Sequence, residues 1–245
     1  MSTKTKTVSA VVVVAVLAIV GGGIYWFLKD DSPTEVNLND AAKSVTTTTA
    51  AAGASTTAPA GIDGSWKVDT TTGKFDFESA TGTFVGFRVQ EDLAGIGSAT
   101  AVGRTNAVEG SMTIAGNQVT SAEFTVDLTQ ITTNDSRRNQ RVQQALETDS
   151  FPQATFKLTQ PIDLGANAAD GSEINVTAEG DLTIHGVTKP VQFPLQAKLV
   201  NGTVVVVGKI DVNFSDYGVE VPKAPIVLSV DDHGVLELQM LFARS

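Results

Sequence analysis

Apolar and polar residues alternate through most of the chain after residue 80, and this alternation limits the fold more than any other feature. Phe124, Val126 and Leu128 share one face of an extended segment, and Thr125 and Asp127 share the other. A period of two is typical of strands with one buried and one wet face. About eight such strands predict an all-β antiparallel barrel. The predicted strands are 84–90, 104–114, 119–129, 153–160, 174–185, 190–200, 203–214 and 226–242.

Turns and one helix complete this prediction. Ala115–Gln118, Asn201–Gly202 and Asp231–Gly234 carry residues that tolerate positive φ, and they are expected to connect hairpins. The last of them would break the final strand. Asp135–Leu146 is rich in helix formers, with Asp135 or Ser136 as the N-cap. Its Val142 and Leu146 would seat this one short helix on the barrel rim.

The N-terminal segment Val8–Leu28 is long enough to cross a bilayer. It has 21 residues without a charge, which as a helix span about 31 Å. Lys4 and Lys6 precede it, so the N-terminus is expected in the cytoplasm and the remainder outside. Residues 1–29 are therefore predicted to form a single-pass transmembrane anchor in the cell membrane. A cleaved secretory signal is the alternative.

A segment rich in threonine and alanine separates this anchor from the strands. Residues 30–62 have no aromatic side chain and too little apolar surface to offset the entropy of ordering. We expect a disordered linker with an r.m.s. reach of about 30 Å. The alternative is a short helix around Asn39–Val45. The barrel domain is predicted to occupy residues 63–245.

Composition excludes several classes of function. The chain has no cysteine and two histidines, so a disulfide scaffold, a thiol nucleophile and a cysteine-bound metal are ruled out. Its net charge of −10 argues against nucleic-acid binding. His185 and Asp181 are four apart on one strand, but a histidine beside a turn is the simpler interpretation, as it is for His233. No cofactor, metal site or catalytic constellation is predicted, and the chain is not expected to be an enzyme.

The run from Gly180 to Val191, GDLTIHGVTKPV, closely resembles the GxLTIxGVTKxV signature of the YceI-like family. Thr83–Val89, Phe151–Phe156 and the opening Trp66–Asp69 also fit the family pattern. The resemblance covers about residues 64–243, and the long segment before Thr105 is similar to an actinobacterial-type subgroup. It implies a lipocalin-like eight-stranded barrel whose interior holds a long-chain polyisoprenoid or related amphiphile. Bacterial members are largely periplasmic or secreted.

The chain departs from the family at Arg138–Val142, where many members have R-D-x-H-L. The aspartate and histidine are absent here, so any head-group contact made by those side chains is in doubt. Arg137, Arg138 and Arg141 lie within five positions, and a helix start with arginines can hold a phosphate or carboxylate. A solvated helix whose arginines pair with nearby acidic residues is the alternative.

Apolar side chains on the inner face are the candidate lipid-binding residues, although any packed barrel would have an apolar interior. They are Phe84, Phe124, Val126, Leu128, Phe156, Leu182, Ile184, Phe193, Leu195, Ile210, Val212, Phe214, Leu238 and Met240.

Two hypotheses follow. In the first, the chain is a membrane-anchored, exported carrier, reservoir or scavenger of an isoprenoid-type lipid or quinone. In the second, the barrel is solid and its outer face serves as a cell-envelope interaction module. The sequence leaves a homodimer open.

Overall fold

The alternating segments form antiparallel strands of one sheet in a computed structural model of the chain. The structure describes residues 32–52, 61–94, 97–134, 136–220 and 227–245. Within these residues the strands are β1 (Gly64–Val68), β2 (Phe84–Leu93), β3 (Gly97–Thr105), β4 (Val108–Ala115), β5 (Gln118–Asp127), β6 (Thr132–Thr133), β7 (Gln153–Leu158), β8 (Ile162–Asp163), β9 (Ile174–Ile184), β10 (Val187–Val200), β11 (Thr203–Asn213) and β12 (Val227–Arg244). The helices are α1 (Leu38–Ala52) and α2 (Ser136–Ala145).

Eight of the strands close into a barrel. Their order is β1-β4-β5-β7-β9-β10-β11-β12, and β1 pairs again with β12, so the sheet has no open edge at this point. The long strand β12 pairs with β11 along one side, and with both β1 and β2 along the other. Strand β2 pairs with the same edge of β12 as β1 does, and β3 and β6 follow β2, so these three strands extend the wall beyond β1. The predicted all-β antiparallel barrel is confirmed.

Tight turns set the register of two predicted hairpins. Asn117 and Gly116 have φ of 64° and 57°, and Asn201 and Gly202 have φ of 49° and 82°. Positive φ at both central residues is the geometry of the type I′ turn, whose twist matches that of the strands beside it. Asparagine and glycine adopt this geometry at low cost.

The strand prediction is wrong in three places. The predicted strand 104–114 is split, because residues 97–105 form β3 and residues 108–115 form β4. The expected hairpin at Asp231–Gly234 is absent, because β12 runs through it with a register shift against β2 between Val230 and Gly234. Such a bulge absorbs extra residues while the strand continues. Finally, β1 is an additional strand of the barrel.

Residues 38–52 form a helix, so the prediction of a disordered linker is wrong there, and the alternative of a short helix around Asn39–Val45 is the one observed. Asn37 caps the helix, since its Oδ1 accepts from the backbone N–H of Asn39 at 2.9 Å and of Asp40 at 3.3 Å. An apolar stripe holds α1 against the outer face of the barrel. The cluster contains Leu38, Ala41, Val45, Val205, Val207 and Leu241. Residues 30, 31 and 53–60 lie outside the described residues.

Three buried charged side chains fasten the segment that precedes α1. Glu237 accepts from Arg88 Nε at 2.9 Å and from Arg104 Nε at 2.9 Å on the outer face of the sheet. The same guanidinium groups donate to the backbone carbonyls of Pro33 and Thr34. We call this arrangement the clasp. It shields two cations and one carboxylate from water and pins the chain at residues 33 and 34.

The helix α2 lies at one end of the barrel, as predicted. Its Val142 packs in a cluster with Leu128 and Ile131, and Leu146 packs against the same cluster. This end also holds Leu93, the β9–β10 turn and Tyr217. The predicted transmembrane segment Val8–Leu28 lies outside the described residues. Among the residues that are described, no helix is long and apolar enough to span a membrane.

Candidate functional site

The barrel encloses an elongated cavity of about 620 Å³. Eight strands leave just enough interior space for packed side chains or for one small ligand. In this barrel the inward-facing side chains do not fill the interior. The cavity runs from Ile114 and Leu199 near the β4–β5 and β10–β11 turns to Leu93 and Arg138 at the opposite end. We call the end with α2 the mouth.

Most of the candidate lining residues border this cavity. The structure places thirteen of the fourteen there, namely Phe124, Val126, Leu128, Phe156, Leu182, Ile184, Phe193, Leu195, Ile210, Val212, Phe214, Leu238 and Met240. Their contact with a ligand stays a prediction.

The assignment of Phe84 to the lining is wrong. On β2 the cavity-lining side chains include those of Val85, Phe87 and Val89. Phe84 has the opposite parity and lies on the outer face, 2% exposed, with the Arg104 guanidinium 4.5 Å from its ring centroid. A shift of one residue moves a side chain to the other face of a strand. The alternation of Val85, Phe87 and Val89 was the signal that could have identified the inner face.

Aromatic pairs form part of the wall. Phe156 and Phe193 meet edge to face with ring centroids 5.5 Å apart. Phe124 and Phe242 lie 5.6 Å apart in a tilted arrangement. Edge-to-face and tilted arrangements are favourable for aromatic pairs, so these contacts stabilise the wall.

Additional side chains that sequence reasoning missed also border the cavity. They come from the segment before β1, from β4, from the first half of β5 and from the segment before α2. Examples are Ile62, Met112, Ile114, Val119, Ala122 and Ile131.

Polar groups are concentrated at the mouth. Glu91 is 6% exposed and forms an ion pair with Arg138, whose Nη1 also donates to Asn134 Oδ1 at 2.6 Å. Arg138 and Arg141 border the cavity. The side chain of Arg137 lies outside the described residues. The mouth therefore places two cationic side chains next to an apolar interior, namely Arg138, which is paired with Glu91, and Arg141.

His185 joins two segments of the mouth. It occupies the β9–β10 turn, and its Nδ1 lies 3.2 Å from the carbonyl oxygen of Tyr217. A carbonyl only accepts, so Nδ1 carries the proton in this contact. Its Nε2 lies 3.7 Å from Glu147 Oε1, and the ring contacts Phe151 edge-on at 4.6 Å. This environment gives His185 a structural role beside a turn.

The other titratable groups show no assembled reactive centre in the described part of the chain. His233 lies on β12 with Nε2 3.5 Å from Asp211 Oδ1 on the exterior. Burial raises the pKa of the Tyr217 phenol, and the nearby Asp216 carboxylate raises it further. Among the described residues, no three His, Asp or Glu side chains lie close enough to hold a metal ion.

Comparison with known proteins identifies the family. The sequence profile of the YceI-like domain matches residues 66–242. The chain belongs to the YceI-like family. Protein YceI of Shigella flexneri is 34% identical over 121 residues, which cover 48% of this chain and 56% of that protein. The chain thus spans about half the length of this curated relative.

Solved structures share the fold of this YceI-like chain. A polyisoprenoid binding domain from Saccharophagus degradans superposes with a TM-score of 0.56 at 19% identity, covering 74% of this chain and 98% of that domain. BcnA of Burkholderia cenocepacia gives a TM-score of 0.50 at 19% identity, covering 64% of this chain and 95% of that protein.

Proposed function

We propose that this chain is a membrane-anchored, exported lipid-binding protein whose barrel holds a polyisoprenoid, a quinone or a similar long-chain amphiphile. The observation that carries the proposal is the apolar cavity of about 620 Å³. Ligand sites in proteins typically measure about 300–1,000 Å³ and are lined mainly by apolar side chains. A flexible branched hydrocarbon gains affinity from burial in such a lining without needing directional contacts.

The size of the cavity argues against the alternative of a solid interaction module. Native interiors are close-packed, with few voids larger than a water molecule, so an apolar cavity of about 620 Å³ left empty would deprive its lining of contacts at a cost in stability. Water gains little from an apolar wall because it needs several polar partners. An apolar occupant is the arrangement that avoids this cost.

The polar residues of the mouth suit the head group of such a ligand. Arg138 is oriented by Glu91 and Asn134, so its guanidinium group is held in place beside the cavity. Arg141 borders the same space. In this proposal the hydrocarbon lies along the barrel axis and the polar end reaches these arginines.

The proposed location follows from the N-terminal sequence. Lys4 and Lys6 precede the apolar segment Val8–Leu28, which favours a cytoplasmic N-terminus and an extracytoplasmic barrel. The relative from Saccharophagus degradans is described as a polyisoprenoid binding domain, and its shared fold supports the ligand class proposed here.

Extraction of the purified full chain followed by mass spectrometry tests the ligand proposal. Leu195 lines the cavity, so Leu195→Trp should fill it and displace the occupant. Ser172→Trp places the same indole ring at an exposed position in the loop before β9, at the end of the barrel opposite the mouth, and it is the matched control. The ligand is the species that the parent chain and Ser172→Trp retain and that Leu195→Trp loses.

Thermal melting distinguishes the two hypotheses further. With a ligand cavity, Leu195→Trp should lower the stability only modestly, by at most about 1–3 kcal/mol. A severe loss of stability together with extracts that contain no specific lipid would instead favour the interaction module.

A further inference from the structure

An exposed apolar side chain marks one part of the mouth. Leu228 on β12 is 71% exposed and is the most exposed large hydrophobic residue among those that the structure describes. Its neighbour Val227 pairs with Leu93 at the end of β2. Leu93 and Val230 border the cavity. We call the ends of β2 and β12 around Leu93 and Leu228 the rim.

The clasp fixes where the chain enters the barrel domain relative to this rim. Arg88 of β2 donates to the carbonyl of Pro33, and Arg104 donates to Thr34 at 2.7 Å. Leu93 lies five residues beyond Arg88 on β2, and five residues of a strand span about 17 Å. The chain then continues from the clasp into α1, whose Val45 packs against Val205 and Leu241. Because these residues lie nearer the β10–β11 turn, α1 leads away from the rim.

The predicted anchor is separated from the clasp by very little chain. Four residue steps connect Leu28 to Ser32, and fully extended they span at most about 14 Å. This reach is about half of the r.m.s. reach of about 30 Å expected for a 33-residue flexible linker. It is also no longer than the distance from Arg88 to the rim. Such a short connection keeps the clasp, and with it the rim about 17 Å along β2, close to the membrane surface.

We propose that the rim contacts the bilayer and that the mouth of the cavity opens onto the lipid surface. The inference rests on the transmembrane anchor of the proposed function. The chemistry of the rim fits a zwitterionic surface, because Leu228 is apolar while Asp92 beside it carries a negative charge and accepts from Ser229 Oγ at 3.2 Å. The net charge of −10 disfavours an anionic surface. A ligand could then pass between the bilayer and the cavity without crossing water.

The absence of cysteine makes a site-specific test direct. In the full chain, Leu228→Cys is labelled with a thiol-reactive nitrobenzoxadiazole dye and reconstituted in phosphatidylcholine vesicles. The matched control is Ser172→Cys, because Ser172 is exposed in the loop before β9, at the end of the barrel opposite the mouth. Both positions are exposed, so neither label needs the core to rearrange.

Three measurements on each labelled chain separate the outcomes. Flotation with the vesicles reports the anchor, dye emission and quenching by doxyl-labelled phosphatidylcholine report rim contact, and lipid extraction reports the cavity ligand. We expect a blue shift and quenching at position 228 and neither at position 172. Equal signals at both positions in chains that float would overturn the inference while leaving the anchor and the ligand intact. Chains that fail to float would overturn it through loss of the anchor, and extraction would still report on the ligand.

Discussion

Removing the charge of Glu237 is the sharpest test of how the N-terminal segment is held. The Glu237 side chain is 0% exposed and accepts from Arg88 Nε at 2.9 Å and from Arg104 Nη2 at 2.8 Å. Glu237→Gln keeps the shape of the side chain and removes its charge. Two guanidinium groups are then left beside each other, with backbone carbonyls and a neutral amide as their remaining partners in the clasp.

The expected loss of stability is large. Breaking a buried ion pair by neutralising one partner typically costs about 3–5 kcal/mol, since a charge stays buried without compensation. For a domain of this size, each kcal/mol of lost stability lowers the melting temperature by about 2–4 °C, so the melting temperature of the variant should fall by roughly 6–20 °C. The amide hydrogens of Thr34 and Glu35, which follow Pro33 in the segment that the clasp holds, should also exchange faster.

Thermal denaturation and hydrogen exchange of the Glu237→Gln variant measure both effects. Glu109→Gln is the matched control because Glu109 is exposed on β4. A surface substitution of this kind should change the stability by less than about 0.5 kcal/mol. If the two variants melt alike, the clasp contributes nothing to folding and the reasoning is wrong.

Three further predictions concern the helix, a buried phenol and a cross-strand contact. Val45→Asp places a carboxylate against the barrel, so residues 38–52 should exchange hydrogens faster, whereas Asn39→Asp on the exposed side should not change them. Burial raises the pKa of the Tyr217 phenol, so folding favours its protonated form, and this contribution to the free energy of unfolding is present below pH 10 and is lost as the pH rises through the folded-state pKa. Tyr217→Phe should remove this alkaline loss of stability, which denaturant titrations at several pH values measure. Gly180→Ala would bring a Cβ within 2.4 Å of the Phe156 ring, and urea unfolding should show a loss of about 1–3 kcal/mol.

The barrel could be predicted from the sequence because alternation is a local signal. Val126 and Leu128 show their shared face within three residues. Asn201–Gly202 indicates a tight turn because asparagine and glycine both tolerate positive φ. The register of each strand, which decides the side chains that face the cavity, was harder to predict from the sequence. Phe84 and Phe87 have opposite parity on β2, and composition alone does not tell which one faces the cavity. The alternation of Val85, Phe87 and Val89 favours Phe87, and the pairing of β2 with β12 settles the register.

The docking of α1 on the barrel and the clasp were not predictable for a different reason. Arg88 and Glu237 are separated by 149 positions, so their pairing has no local signature. The threonine-rich composition of α1 suggested disorder, and its stability comes from apolar contacts with Val205 and Val207 on a distant strand. Tertiary packing outweighs weak intrinsic helix propensity in such cases.

The three pairings of β12 have a consequence for how the protein is made. Trp66 on β1 pairs with Arg244 on β12, so the first and last strands of the barrel must meet before the wall is complete. Contacts between residues so far apart in sequence slow folding, since the loop entropy is lost before the contacts form. Until β12 has been synthesised, β1 has one unpaired edge and the cavity has no closed wall. A ligand of the proposed kind would therefore enter as the barrel closes or afterwards, and could not be held by an incomplete chain.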